Sequence, residues 1–178
     1  MTTWKRVSSK IIFSHPRIKL AEDIVILPNG NKVKYIRYEG YSDVSTIMTM
    51  GRDNKFLMIR EYTYPIDQEL LKFPEGAIDK NEDPKVAAKR ELEEETGFSA
   101  AKFVIIGSNL HFHRRSKAKN YIVVASSPYE LAEKPPGDQE ENITTVWLTE
   151  KEIWAAIKNG QIIQKNALAA WAHYQANK

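Results

Sequence analysis

The sequence predicts an α/β sandwich with a small antiparallel β-subdomain at its N-terminus. Three observations predict it. Strand-like runs lead the chain, one sharply bounded helix sits in the middle over 84–96, and more strands and then two helices follow. Asn-Gly and Gly-containing turns separate the early strands, which marks hairpins and not crossovers. A single helix between groups of strands does not supply the alternating βαβ units of a doubly wound sheet.

The chain has 178 residues, 42% hydrophobic and 28% charged, which suits one packed domain with at most a small appendage. The net charge of +3 is too weak to point to nucleic acid. No cysteine is present, so disulfides and thiolate metal sites are excluded. The first ten residues, MTTWKRVSSK, lack the apolar stretch of a signal peptide, and no apolar run approaches the ~20 residues that span a bilayer. The expectation is a cytoplasmic protein that binds neither membrane nor nucleic acid.

In order along the chain, residues 4–40 alternate and turn. Pro28-Asn29-Gly30-Asn31 separates two β-rich runs as a hairpin turn, which predicts the N-terminal sheet. Residues 43–50 and 55–62 form a second hairpin about Gly51-Arg52-Asp53-Asn54, followed by a loop with Pro65 and then by LLKFPEGAID. Asp83 is a good N-cap, Pro84 suits the first helical position, and Gly97 closes the helix. Runs 102–107 and 121–125 read as strands flanking a basic loop, HFHRRSKAKN, in which His111 and His113 alternate as if on one strand face. A polar loop over 133–141 precedes a strand over 143–148. Thr149 and Glu152 form a capping box for a helix over 150–158, and a last helix covers roughly 164–176.

The middle helix carries the chemical signal. Glu91, Glu94 and Glu95 are spaced i, i+3 and i+4, so they share one face, whereas Glu93 points elsewhere. They lie in the last turns, where the macrodipole disfavours negative charge. Like charges at that spacing cost about 0.2–0.5 kcal/mol per pair. Taken alone the triplet reads more readily as a solvated acidic face. A divalent cation would offset the repulsion, and a hard cation takes carboxylate oxygens together with substrate phosphates.

From Gly76 the chain reads GAIDKNEDPKVAAKRELEEETGF. Gly76, Glu82, Arg90, Glu91, Leu92, Glu94, Glu95 and Gly97 resemble the fixed positions of the Nudix family: glycine, five residues, glutamate, seven residues, then R-E-apolar-x-E-E-x-G. Phe98 stands where an aliphatic residue is commoner. The resemblance implies a Nudix α/β/α sandwich that hydrolyses a diphosphate linkage with Mg²⁺, or Mn²⁺ in its place. It implies that Glu91 and Glu95 ligate metal, that Glu94 assists, and that the backbone carbonyl of Glu75 joins them. Arg90 is expected to pair with Glu82 and orient the carboxylates, the other reading being an ordinary surface pair. Gly76 is expected to let the loop turn tightly.

The family's ADP-ribose and nucleoside-diphosphate-sugar hydrolases use a general base from a loop before a late strand. The corresponding segment here, GDQEENITTVWL, offers Glu141 first and Glu140 second. The N-terminal segment resembles those enzymes' small domain, which implies subdomains at 1–40 and 41–178 and a homodimer that exchanges the first. On that likeness Trp4 stacks on the nucleobase, or is simply a half-buried interface residue. Arg60 reaches a phosphate or the base, or is a strand-end surface charge. One departure stands out: the family's proline-bearing loop about sixteen residues past the box is replaced by SNLHFHRRSKAKN. Arg114, Arg115, Lys117 and Lys119 there either face substrate phosphates or form an exposed basic loop.

The implied substrate is a nucleoside diphosphate sugar, ADP-ribose included. Three alternatives stay open: a triphosphate pyrophosphohydrolase of house-cleaning or RNA-end type, a catalytically silent nucleotide-binding domain, and an RNA-binding module built on the basic loop. The N-terminal segment speaks against the first, the intact glutamates against the second, and the lack of interleaved aromatics beyond Phe112 against the third.

Overall fold

A computed structural model describes residues 3–137 and 142–178. The chain divides into two compact units: Met1–Ser42 with Leu110–Lys119, and Asp43–Asn109 with Asn120–Lys178. The basic loop therefore folds with the N-terminal segment, although nearly seventy residues separate them in sequence.

The smaller unit holds an antiparallel sheet of β1 (Lys5–His15), β2 (Ile18–Ile26) and β3 (Lys32–Tyr38), in that order. The β2–β3 turn falls at the anticipated residues. Gly30 takes φ +86°, and the Leu27 and Asn31 backbones bond across it at 2.8 Å. β2 alternates buried and half-buried positions, whereas every residue of β1 is exposed, including Val7, Ile11, Ile12 and Phe13. His111 and His113 lie in the turn between strands and not on a strand face. That turn is closed by the Arg115 and Ser116 amides, which both donate to the Phe112 carbonyl.

The larger unit is a mixed sheet sandwiched between helices. Its strands are β4 (Val44–Met50), β5 (Lys55–Thr63), β6 (Gln68–Lys72), β7 (Glu75–Ala77), β8 (Phe98–Leu110), β9 (Lys119–Glu130) and β10 (Ile143–Thr149). The order is β10-β5-β4-β9-β8, with β6 on β5, β7 on β4, and β4 and β9 parallel. Period-2 alternation splits the core into two layers. Met48, Phe56, Met58 and Ile122 face α2 (Glu150–Lys158) and α3 (Lys165–Ala176), whose Ile153 and Trp171 fill that layer. Ile47, Leu57 and Val123 face the other way, onto Ala88 and Leu92 of α1 (Pro84–Thr96). The capping box at Thr149 and Glu152 forms as expected.

β6 and β7 occupy the stretch after the Pro65 loop, to which the sequence assigned no element. Their charged and Gly-containing sequences, QELLK and EGA, have little intrinsic β preference, and pairing to β5 and β4 imposes it. β8 and β9 also run well past the short apolar runs. Gly107 sits inside β8 because a Cβ there would run into the imidazole of His173.

Candidate active site

The helix α1 is fixed at both ends by local chemistry. The Asp83 carboxylate accepts the Lys85 amide at 2.8 Å, Pro84 opens the first turn, and Gly97 ends it in the left-handed region at φ +76°. Ala87, Ala88 and Leu92 face the sheet, which turns the Glu91, Glu94 and Glu95 face toward the loop that contains β7. Glu95 is only 3% exposed, while Glu93 points away and pairs with Lys89 at 3.8 Å.

Arg90 binds this face to the preceding loop. Its Nε donates to Glu82 Oε1 at 3.2 Å, and its Nη2 to Glu82 Oε2 at 3.1 Å and to the Ala77 carbonyl at 2.9 Å. Nη1 donates to Glu91 at 2.6 Å and to Glu94 at 3.4 Å. The expected Arg90–Glu82 pair is therefore a two-pronged clamp with a backbone contact, which fixes orientation better than a loose surface pair. The Arg90 hydrogen bond holds the Glu82 carboxyl below its ordinary range, with help from the Asp79 amide. Burial pushes Glu91 upward; Arg90 opposes this, and the neighbouring Glu94 and Glu82 reinforce it.

Gly76 is needed for a different reason from the one the sequence suggested. It lies within β7, paired with Ser45, and its φ is not positive. A Cβ at Gly76 would fall inside the Glu91 carboxyl group, so glycine is required for close approach and not for a turn.

Glu75 connects this face to the rest of the unit. Its amide donates to Glu95 Oε2 at 3.1 Å. Its carboxylate accepts from Gln164, from Asn166 Nδ2 at 2.8 Å and from Thr46 Oγ1 at 3.3 Å. Lys72 Nζ lies 2.6 Å from Glu61 and 3.7 Å from Glu75. Burial would push the Lys72 ammonium down, but Glu75, Glu95 and Glu61 together carry it well above the usual lysine range. Thr46 also bonds Asn120 at 2.8 Å, and Asn120 bonds Asn109 at 3.1 Å. Lys134 Nζ donates to the Glu95 carbonyl at 2.8 Å.

None of Lys72, Gln164, Asn166, Thr46, Asn120 and Lys134 was among the residues singled out from the sequence. The one available signal was polar side chains set in apolar surroundings, as in LLKFPEG and at the start of an apolar helix.

The donor set suits a hard divalent cation. Glu91, Glu94 and Glu95 bring carboxylates to one face, and Gly76 clears space beside Glu91. Among the described residues no three acidic or histidine side chains already close around one point, and Arg90 Nη1 bridges Glu91 and Glu94. Thiolate or histidine coordination has no place here, since the face holds oxygen donors only.

The other anticipated site residues are dispersed. Arg60 of β5 lies 3.5 Å from Glu69 of β6 in the larger unit. Trp4, Arg114 and Arg115 belong to the smaller unit. Trp4 is 53% exposed and meets Tyr35 edge-on at 5.9 Å. Arg115 donates to the Ile36 carbonyl at 2.9 Å and lies 5.1 Å over the Tyr35 ring. Glu140 and Glu141 lie outside the described residues. No helix among the described residues is long and apolar enough to cross a membrane.

Comparison with known proteins places the chain. The NUDIX domain profile matches residues 42–171. The methanol dehydrogenase activator of Bacillus methanolicus is 28% identical over 96% of this chain and 92% of its own length. The ADP-ribose pyrophosphatase of Bacillus subtilis is 24% identical over the same shares. A crystal structure of an ADP compounds hydrolase superposes with a TM-score of 0.89 at 21% identity, covering 99% of this chain and 94% of the other, and so shares its fold. On the domain match over residues 42–171, the chain belongs to the Nudix family of pyrophosphohydrolases.

Proposed function

We propose that the protein hydrolyses the diphosphate linkage of nucleoside diphosphate sugars, ADP-ribose included, to a nucleoside monophosphate and a sugar phosphate with Mg²⁺. The observation that carries this reading is the partly buried carboxylate face of α1, held by Arg90 and cleared by Gly76. A set of like charges late in a helix opposes stability, and a cation-dependent site gives it a use. One relative is named as a dehydrogenase activator and another as an ADP-ribose pyrophosphatase. The complete glutamate set favours the hydrolytic reading.

Glu91 and Glu95 would hold Mg²⁺, with Glu94 and the Glu75 carbonyl beside them; Mn²⁺ would serve the same oxygen donors. A bound divalent ion neutralises phosphate charge and lowers the pKa of water. Arg90 bridges and orients Glu91 and Glu94, and the Glu75 amide fixes one oxygen of Glu95. Glu141 accepts the proton of the attacking water, with Glu140 as the alternative. Arg60, Arg114 and Arg115 contact the substrate's phosphates or base, and Trp4 stacks on the base. The exposed apolar residues of β1 support a homodimer formed through the N-terminal unit. The working compartment is the cytoplasm.

A product assay with Mg²⁺ tests the reading on ADP-ribose, ADP-glucose, GDP-mannose, UDP-glucose, a dinucleoside polyphosphate and nucleoside triphosphates. Monophosphate plus sugar phosphate from the sugar compounds is the expected result. Cleavage of triphosphates alone, or of nothing, would overturn it. Glu141→Gln is expected to lower the rate strongly while substrate still binds; if Glu140→Gln alone does so, the base is Glu140.

A further inference from the structure

Lys72 ends β6 between the core residues Leu71 and Phe73, and its own side chain is only 12% exposed. Withdrawing an ammonium this far from water is costly unless it is paired, so its partners carry the explanation. In the β5–β6 ladder Ile59 stands opposite Lys72 and Glu61 opposite Leu70, which makes Glu61 the diagonal neighbour of Lys72. The ammonium lies 2.6 Å from Glu61 and 3.7 Å from Glu75. A cross-strand ion pair accounts for the first contact. It does not account for the second, which leaves the β5–β6 ladder for β7.

Lys72 shares the Glu75 carboxylate with three neutral donors: Gln164, Asn166 at 2.8 Å and Thr46 at 3.3 Å. These donors match the roughly four acceptor positions of a carboxylate, so the side chain serves as an anchor and not as a ligand. What the anchor holds is the Glu75 peptide. Its amide donates to Glu95 Oε2 at 3.1 Å, and the next residue, Gly76, lies against the Glu91 carboxyl. Three elements therefore converge on Glu75: β6 through Lys72, β4 through Thr46, and the start of α3 through Gln164 and Asn166. Among those four side chains only Lys72 brings charge.

We propose that Lys72 is a positioning residue for the carboxylate face: its ammonium fixes the Glu75 carboxylate and, through it, the peptide that aligns Glu95. The inference rests on the cation-dependent reading and adds to it a residue outside the carboxylate helix. Lys72 touches neither cation nor substrate in this account. An ammonium near a cation site would by itself repel the cation. Here Glu61 and Glu75 together outweigh its charge, so its hold on Glu75 decides the effect.

Calorimetry on the full chain with Mn²⁺ as the probe tests this without turnover. Lys72→Met strands two carboxylates without their counter-charge and can unfold the protein. Lys72→Met/Glu61→Gln removes the stranded charge of Glu61 and is the variant to measure; circular dichroism and thermal unfolding check its fold. Its Mn²⁺ affinity is expected to fall at least about tenfold, the scale seen when an outer partner of a metal ligand is lost. Glu61→Gln alone breaks the same cross-strand pair but leaves the ammonium on Glu75, and is expected to bind Mn²⁺ as the parent does. In steady-state assays of the double variant, the Mg²⁺ needed for half-maximal rate is expected to rise by a similar factor. The KM for ADP-ribose at saturating Mg²⁺ is expected to stay at the parent value.

A folded double variant that binds Mn²⁺ as tightly as the parent, or more tightly, would overturn the proposal. An equal loss in Glu61→Gln would reduce Lys72 to a staple between β5 and β6 and overturn it too. A parent protein that takes up no Mn²⁺ would sink the cation-dependent reading and this inference with it. A parent that binds Mn²⁺ yet cleaves no nucleotide sugar, with the loss in the double variant intact, would sink the substrate assignment and leave this one standing.

Discussion

The larger unit gathers its anions from one continuous run, whereas the smaller unit gathers its cations from three separate segments. Glu82, Glu91, Glu94 and Glu95 come from one helix and the loop before it, and Arg90 in the same run binds three of them. Arg6, Tyr35 and Arg115 meet only because β1, β3 and a turn over 110 residues into the chain fold together. In the first region helical geometry alone sets the spacing. In the second, spacing depends on tertiary structure, and the Arg115–Ile36 bond spans 79 positions. The contrast teaches that a charge cluster is rigid for different reasons in the two places. The acidic one is braced by its own arginine, and the basic one by backbone hydrogen bonds from a neighbouring strand.

Substitutions sharpen that comparison. The largest effect is expected at Gly76→Ala, where the new Cβ displaces the Glu91 carboxyl. Turnover is expected to fall by about 10- to 100-fold through the misplaced carboxylate, with an overpacking cost of about 1–3 kcal/mol. Steady-state kinetics beside thermal unfolding measure both; an unchanged rate would show that Glu91 does not need its place against the glycine.

Asn166→Ala comes next, because it leaves a half-buried Glu75 oxygen without its 2.8 Å donor. A loss of about 1–3 kcal/mol in denaturant-measured stability is expected. A change below 0.5 kcal/mol, the ordinary surface scale, would mean that Gln164 and Thr46 hold Glu75 without it.

Glu82→Gln is expected to cost about 1–2 kcal/mol at neutral pH, since it weakens the charge-assisted bonds from Arg90. The folded Glu82 pKa lies below its ordinary value of 4.5. The stabilisation is therefore full above about that value and is lost as pH falls through the lowered folded value. The difference between variant and parent is expected to shrink in acid; a pH-independent difference would contradict the ionic account.

The smallest effect is expected at Lys89→Ala. Its i,i+4 partner Glu93 lies at 3.8 Å on the exposed face. The change is expected to stay within about 0.5 kcal/mol. A clear loss of activity there would mean that charge outside the clamped face also matters.

How much of this was legible in the sequence follows from the same contrast. Asp83, Pro84 and Gly97 bound α1 by rules that operate within four residues, and the helix appears where they put it. The carboxylate face follows from spacing in the same run, and the Arg90–Glu82 contact was expected from the resemblance to the Nudix family. β6 and β7 did not show, because their charged residues and a glycine are tolerated there only through pairing with β5 and β4. The Glu75 network was equally hidden, since Gln164 and Asn166 lie 89 and 91 positions away. The order of the basic loop was hidden too: HFHRRSKAK reads as a solvated loop until Tyr35, Ile36 and Tyr38 are seen to hold it.

The most direct test of the central claim is the rate of ADP-ribose cleavage at saturating Mg²⁺ by the parent protein and by Glu95→Gln. Glutamine keeps an acceptor oxygen for the Glu75 amide, which bonds Glu95 at 3.1 Å, so the fold is expected to survive. The account predicts a loss of at least about 100-fold in kcat with little change in unfolding temperature. A folded Glu95→Gln protein that turns over at near the parent rate would contradict it.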